Sequence, residues 1–553
     1  MPKLAKIAKH DWDAIIVGTG MGGATLGYAL ARAGWRVLFC EKGKSHLGDA
    51  QSLRGDYAEN FFSRPKAPQP EHREILSRAG RYSGLIEDRS FFRSRAFIPF
   101  IGLGTGGSTA LYGMALERFF PADFRPRRNF PNANETTLPE QWPISYADLT
   151  PYYEAAEKLY RVRGTSDPLR SGEQLEHLRP PPPLTPAGDE LFQFFRQKGL
   201  HPYRLPMACE FVPECECCQG YLCARNCKND ASRICLAPAI SDYGAELLDE
   251  CEVLKLEATS TEVTGVVCTW HGTEITLRGK VVVLAAGALE SPCILLRSAS
   301  EHWPNGLGND SGLVGKNLMR HHIDLHLVIP NTPGPVENRY KELAFNDFYE
   351  FNGEKFGSVQ SLGRLPAAEI IAATMEQDLR DGPLPGAGVF FKLAKPAITP
   401  LLSRLVSRNV ALAAILEDLP YSDNLVMPLP PTSGHVAGRL AIQYNIRSQD
   451  RKRITAFRSL VRQALKPYKT TLIKQAENNQ RIAHACGTCR FGLTREDSVL
   501  DKWNRSHGLS NLYVVDGSFF PSSGGTNPAL TIGANALRVA DHLSGKPTET
   551  DIL

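Results

Sequence analysis

Three features of this 553-residue sequence predict an α/β architecture, in which a nucleotide-binding domain is joined to a second, α+β domain built on an antiparallel sheet. A strand, a glycine-rich turn, a helix and a second strand open the chain. A strand, a loop and a helix close it. Between them, residues 323–478 carry apolar runs of strand length. A chain this long needs more than one core, or one large core with a substantial insertion.

The opening element is "DWDAIIVGTGMGGATLGYALARAGWRVLFCEKG", residues 11–43. Ala14 to Val17 is a short apolar strand. Gly18, Gly20 and Gly23 follow as G-x-G-x-x-G, for a tight turn, close approach of a pyrophosphate, and close packing of helix on strand. The helix runs to about Ala33, Gly34 stops it, and "RVLFCE" makes a second strand ending at Glu41. The helix N-terminus offers free N–H groups and a partial positive charge to phosphate. Glu41, 18 residues beyond Gly23, stands where a carboxylate accepts ribose hydroxyls. This order of elements predicts a Rossmann-like dinucleotide site, and its place near the start of a long chain favours FAD over NAD.

At the other end, "HACGTCRFG" (484–492) precedes "NLYVVDGSFFPSSGGTNPALTIGANALRVADHL" (511–543). "NLYVV" reads as a strand, "DGSFFPSSGGTNP" as a loop, and the remainder as a helix opening just after Pro528, where a proline is well tolerated. The positive end of that helix suits the negative charge that a reduced flavin ring develops.

Composition narrows the classes. The net charge of +4, from 63 basic and 59 acidic residues without long like-charge blocks, argues against a nucleic-acid-binding protein. No stretch approaches the ~20 apolar residues of a spanning helix. The N-terminus "MPKLAKIAKHDWDAIIVG" lacks the apolar run of a signal peptide, so the sequence by itself predicts a cytoplasmic protein.

Several segments now share one order. Besides the two termini they are "GLGTGGSTALYGMALERF" (102–119), "VVVLAAGALESPCILLRSA" (281–299) and "VGKNLMRHH" (314–322). Over nearly its whole length the chain resembles the glucose–methanol–choline (GMC) flavoprotein oxidoreductases. "WPISYADLTPYYEAAEKLYRV" (142–162) and "ILEDLP" (415–420) look most like the sugar- and polyol-dehydrogenase branch.

The resemblance implies a Rossmann-like FAD-binding domain of discontinuous segments, 10–45, 95–125, 240–320 and 480–545. The substrate or cap domain then comprises 126–239 and 321–479, with strands at "IDLHLVIP", "GVFFKLA", "ALAAILED" and "LAIQYNI" roofing the flavin. It implies that Gly106, Gly107 and Ser108 run along the flavin, that Asp516 and Gly517 help hold the FAD chain, and that FAD is non-covalent, because Leu111 falls near the position where some relatives carry a linking histidine. Tyr112 stands where many relatives have Asn.

It also implies the chemistry. His484 takes the place of the active-site histidine, and Asn527 that of its His-or-Asn partner. Oxidising an alcohol CH–OH requires removal of the hydroxyl proton as hydride leaves for flavin N5, and imidazole titrates in the right range. Asn527 orients the hydroxyl. The expected substrate is a sugar or polyol. Two alternatives stand beside this: an oxidase of a hydrophobic or biosynthetic alcohol releasing hydrogen peroxide, and a non-catalytic FAD-binding electron-transfer subunit. His321 and His322 could line the substrate entrance, although most of the fourteen histidines are ordinary. Cys486 and Cys489 read as structural thiols.

One segment is unlike the rest. "CECCQGYLCARNCKNDASRIC" holds six cysteines between Cys215 and Cys235, with Cys209 just upstream. Read from the residues, four states compete: disulfides, a zinc site, inert thiols and an iron–sulfur cluster. By the resemblance, CC-x4-C-x3-C at Cys217, Cys218, Cys223 and Cys227 matches the [3Fe–4S] loop of bacterial FAD-dependent glucose dehydrogenases. That implies Cys217, Cys223 and Cys227 as ligands of a [3Fe–4S] or [4Fe–4S] cluster, with Cys218, Cys215 or Cys235 supplying a fourth. It further implies a dehydrogenase that passes electrons to a cytochrome, works with a small subunit, and reaches the periplasm by partner-assisted export.

Overall fold

Strand Asp11–Val17 is the organising strand of the molecule. Its apolar residues pair in parallel with Val37–Cys40 on one side and with the second half of Thr273–Leu284 on the other. Glu246–Leu248 extends the parallel sheet at one edge, and Leu512–Val514 joins Val282–Leu284 at the other. The first half of Thr273–Leu284 leaves the parallel sheet and pairs antiparallel with Val263–Trp270, which pairs antiparallel with Cys251–Ala258. Buried on both faces, the central strands read as continuous apolar runs. These observations come from a computed structural model that describes residues 11–62, 70–92, 94–170, 172–173, 175–333, 336–337, 340–381, 385–430 and 439–545. The lysine-bearing stretch before residue 11 lies outside the described residues.

Helix Met21–Arg32 packs on this sheet and against the C-terminal helix Ala529–Ser544, bringing the two ends of the chain together. Helix Tyr146–Leu159, started by a reciprocal Ser145–Asp148 capping box, lies on the same C-terminal helix. Segment 95–125 gives the parallel sheet no strand; it contributes the glycine-rich loop beside it.

The second sheet has six antiparallel strands in the order Lys469–Ile473, His322–Ile329, Val410–Leu416, Gly357–Ser361, Leu343–Phe345 and Tyr203–Arg204. Two of the expected strands, "IDLHLVIP" and "ALAAILED", form its centre. Two do not. "GVFFKLA" lies in helix Pro385–Arg408, because Gly357–Ser361 pairs directly with Val410–Leu416 and leaves no slot between them. The intervening chain loops out as a helix pair, Ala368–Asp381 and Pro385–Arg408. "LAIQYNI" does form a strand, Leu440–Gln443, but in a separate four-stranded sheet with Leu425–Pro428, Ile86–Asp88 and Arg95–Phe97.

Among the described residues, no helix is long and apolar enough to cross a membrane.

Candidate active site

The glycine turn has the shape that a dinucleotide requires. Gly18 has φ +99°, and a Cβ there would lie 2.4 Å from the Ala285 carbonyl oxygen. A Cβ on Gly23 would lie 2.2 Å from the Gly18 carbonyl oxygen, so helix and strand touch backbone to backbone. Gly20 differs, since a Cβ there would meet nothing within 4 Å. The open space lies at the N-cap of Met21–Arg32, a helix start with neither a capping side chain nor an acidic first turn. Its free N–H groups and the space before them fit a pyrophosphate.

Glu41 ends the second strand and is buried. Its Oε2 accepts from the Thr19 N–H (3.1 Å) and hydroxyl (2.6 Å), and its Oε1 from the Gly43 and Gly104 N–H groups (3.0 and 3.2 Å). Burial raises its pKa, and these donors work against that rise. Glu41 thus also fastens the 102–108 loop onto the glycine turn. In that loop Gly106 and Gly107 adopt φ +86° and +50°, and a Cβ on Gly107 would lie 3.1 Å from Gly20 Cα. The Ser108 Oγ accepts the Gly102 N–H at 3.1 Å. Leu111 is buried, and Tyr112 donates its hydroxyl proton to the Asn229 carbonyl at 2.6 Å.

Asp516 is buried and ties three elements. Its Oδ2 accepts from the Gly287 N–H (2.9 Å) and the Ser291 hydroxyl, and its Oδ1 from the Ser518 N–H (2.9 Å). Gly517 follows in a 3-10 turn and accepts the Gly487 N–H at 3.1 Å, which joins the His484 turn to the C-terminal loop. Pro528 is the N-cap residue of the C-terminal helix.

His484 lies in a turn held by reciprocal backbone bonds between Cys486 and Met319 (2.9 Å each). Its Nδ1 is 3.0 Å from Nδ1 of His321. The protons on this pair are fixed by the far side of His321, whose Nε2 is 3.0 and 2.9 Å from the Ser523 and Gly524 carbonyl oxygens. Carbonyls only accept, so His321 Nε2 carries the proton and its Nδ1 is a bare acceptor. His484 must then donate from Nδ1, which leaves Nε2 as an unprotonated lone pair. Burial lowers the pKa of His484 well below the ordinary range, and the neighbouring His321 and Lys341 lower it further. The imidazole is therefore neutral, as a base must be.

His321 has φ +61°, an uncommon conformation for a non-glycine residue, and Asp418 maintains it. The Asp418 carboxylate accepts from the N–H groups of Arg320 (2.7 Å) and His321 (3.1 Å), from Tyr444 (2.6 Å) and from Ser523 (2.8 Å).

Asn527 is oriented in the same manner. Lys341 donates to Gln360 Oε1 at 3.3 Å, and Gln360 Nε2 donates to Asn527 Oδ1 at 2.8 Å. With its oxygen engaged, Asn527 presents its NH₂ group. Burial lowers the Lys341 ammonium to a pKa of about 8. His322 faces away from this pair, toward the Ala476 carbonyl at 3.2 Å. Neither His321 as proton-orienting partner nor Gln360 and Lys341 were read from sequence. The "RHH" beside "VGKNLM" was a visible signal, whereas Gln360 and Lys341 carried none.

Burial pushes the thiols of Cys486 and Cys489 well up in pKa, so both stay protonated. In the cysteine-rich loop the predicted ligands separate. Cys217 Sγ has Cys209 and Cys215 as neighbours, at 3.9 and 3.8 Å, whereas Cys223 Sγ lies 3.6 Å from Cys227. Cys215 Sγ is 3.7 Å from Cys209 and 3.1 Å from Cys227. Cys215 is at the centre of the group, and Cys209, absent from the expected ligand set, belongs to it. Cys235 is not in it: its sulfur lies 3.4 Å from the Tyr160 hydroxyl, under the glycine helix. The three implied ligands are thus distributed over two neighbouring groups of sulfurs, joined by the contact of Cys215 with Cys227.

Known proteins resemble this chain over most of its length. The sequence profile of the GMC oxidoreductases covers residues 12–323, and that of their C-terminal region covers 429–536. The chain is 28% identical to paromamine 6'-oxidase of Streptomyces fradiae, over 97% of this chain and 91% of that one. It is 28% identical to 2-methyl-1,2-propanediol dehydrogenase of Mycolicibacterium austroafricanum (96% and 95%) and 24% identical to the fructose dehydrogenase large subunit of Gluconobacter japonicus (96% and 97%). Among solved structures, a pyridoxine 4-oxidase superposes with a TM-score of 0.61 at 20% identity, covering 96% of this chain and 99% of that one.

Proposed function

The chain belongs to the GMC oxidoreductase family, FAD-dependent enzymes acting on CH–OH donors, and we propose that it oxidises an alcohol group of a sugar or polyol with His484 as base and Asn527 as positioning donor. The observation that carries this reading is the pair of hydrogen-bond chains that leave one lone pair and one amide donor free. A substrate hydroxyl needs both: its proton goes to His484 Nε2, and its oxygen accepts from Asn527. When bound, FAD supplies the hydride acceptor, at flavin N5. The chain supplies the rest. The uncapped start of Met21–Arg32 holds the pyrophosphate, the 102–108 loop and the 516–517 turn frame the cofactor, and His321 keeps the reactive nitrogen of His484 bare.

The names of the relatives support a polyhydroxylated substrate, with fructose and a diol among them. The fructose dehydrogenase relative is a large subunit by name, which supports a partner subunit as electron acceptor and hence a dehydrogenase. Relatives named as oxidases support dioxygen instead. Anaerobic mixing of the FAD-loaded enzyme with a panel of hexoses, polyols and amino sugars tests the first proposal by bleaching of the flavin absorbance. Failure of every alcohol to bleach a fully loaded enzyme would sink it. Peroxide released at one equivalent per turnover in air would select the oxidase reading.

A further inference from the structure

Three lysines are buried among the described residues, and two of them are matched by strong partners. Lys228 donates to the Ala110 and Tyr221 carbonyls at 2.7 and 2.9 Å. Lys355 is paired with both Asp123 and Glu417, the latter at 2.5 Å. Lys341 has no such match. Its ammonium carries three protons, and among the described residues it meets one acceptor, Gln360 Oε1 at 3.3 Å. Burying an ammonium is costly unless a counter-charge or a full set of hydrogen bonds replaces the lost water.

The nearby carboxylates are engaged elsewhere. Glu342 is next to Lys341 in sequence, but its oxygens accept from the Thr185 N–H and hydroxyl at 2.6 and 2.8 Å. Glu117 acts on Lys341 through space, and its own oxygens accept from Thr526 at 2.7 Å, from Asn346 at 3.1 Å and from the Tyr203 hydroxyl. The ammonium stands beside the reacting groups. A Cβ on Gly113 would lie 2.9 Å from Lys341 Nζ, so the charge rests directly on the segment that continues the 102–108 loop. Through Gln360 it is two hydrogen bonds from Asn527. It also lowers the His484 pKa, which shows that its field reaches the base. Base, amide donor and ammonium belong to one site.

We propose that Lys341 recognises the carboxylate of an acidic polyol, so that the favoured substrate is a sugar acid and not a neutral or cationic sugar. The inference rests on the alcohol reading above and adds a charge to it. With the substrate hydroxyl between His484 Nε2 and Asn527, a carboxylate a few carbons away accepts from the protons of Lys341 that Gln360 leaves free. One ammonium balances the single charge of a carboxylate, whereas a phosphate dianion would be left half neutralised. An amino sugar would bring a second cation against the first and is disfavoured. No bond is made or broken at Lys341; it is a specificity-determining contact.

The test is anaerobic stopped-flow reduction of the FAD-loaded enzyme by D-gluconate and D-glucuronate, by their neutral counterparts D-glucitol and D-glucose, and by D-glucosamine. The quantity read for each is the reduction rate constant divided by the dissociation constant. The wild-type enzyme should favour the acids over the neutral and cationic compounds by about tenfold or more, a comparison that needs no variant to fold. Lys341→Met should bring the acid-to-neutral ratio down toward one, chiefly by raising the dissociation constant of the acid, and Lys341→Arg should keep part of the preference. A wild-type enzyme without preference for the acids would overturn the proposal. So would an equal loss on acids and neutral polyols in Lys341→Met, since the lysine would then only orient Gln360 and Asn527. Reduction by the neutral polyols alone leaves the alcohol reading standing, whereas reduction by none of these compounds sinks both.

Discussion

At the scale of single residues, the site depends on where two protons sit. His484→Ala should slow flavin reduction by substrate ~10²–10⁴-fold with FAD content unchanged, measured by anaerobic stopped flow. His321 acts through His484 and has a different signature. Removing it opens the pocket to water, which reduces the desolvation that holds the His484 pKa down, so the pKa rises. In His321→Ala the acid limb of kcat/KM should therefore move to higher pH, with kcat down about tenfold, and His321→Gln should restore part of it. An acid limb that stays in place would show that His321 merely fills space. Much of this site was legible in the sequence: His484 and Asn527 lie in two ordered segments whose residue types match alcohol chemistry. What was not legible was tautomer and amide orientation, because those depend on Ser523, Gly524, Gln360 and Asp418, which come from distant parts of the chain.

At the scale of elements, the glycines of one turn have separable roles. Gly20 faces open space, so Gly20→Ala should leave the thermal midpoint of the apoprotein nearly unchanged while weakening FAD about tenfold or more. Gly22→Ala is the reverse case, because its Cβ would lie 2.1 Å from the Val515 carbonyl oxygen. That variant should unfold at markedly lower temperature whether or not FAD is added; both are read by flavin fluorescence titration and thermal melts. Equal effects of the two substitutions would contradict this division. The same scale shows where periodicity misleads. "GVFFKLA" is apolar enough for a strand, yet it lies in an exposed helix with Phe390 and Leu393 each 77% accessible. A run of apolar residues does not say whether a neighbouring strand has a free edge, and here it has none.

At the scale of the whole molecule, the antiparallel sheet buries histidines that make stability depend on pH. His326 is 2% accessible, its Nε2 finds no hydrogen-bond partner among the described residues, and burial lowers its pKa to about 4. His322 is lowered to about 3 for the same reason. An unfolded imidazole takes up its proton near pH ~6.5. Between that value and about 4 the unfolded chain binds protons that the folded chain does not, so stability falls as pH is lowered through this window. His326→Leu should flatten the pH dependence of the unfolding free energy from urea melts there, by up to about 1.4 kcal/mol per pH unit, and an unchanged slope would refute the assignment. Sequence by itself determined the nucleotide turn and the presence of a cysteine-rich loop, and through its resemblance to a family it singled out His484 and Asn527, because each is written in residues close together along the chain. Only the tertiary structure decided which nitrogen of His484 is bare, which sheet each apolar run joins, and which sulfurs of the loop lie together. Those outcomes depend on distances between segments up to hundreds of residues apart, and spacing along a chain does not measure distance across a fold.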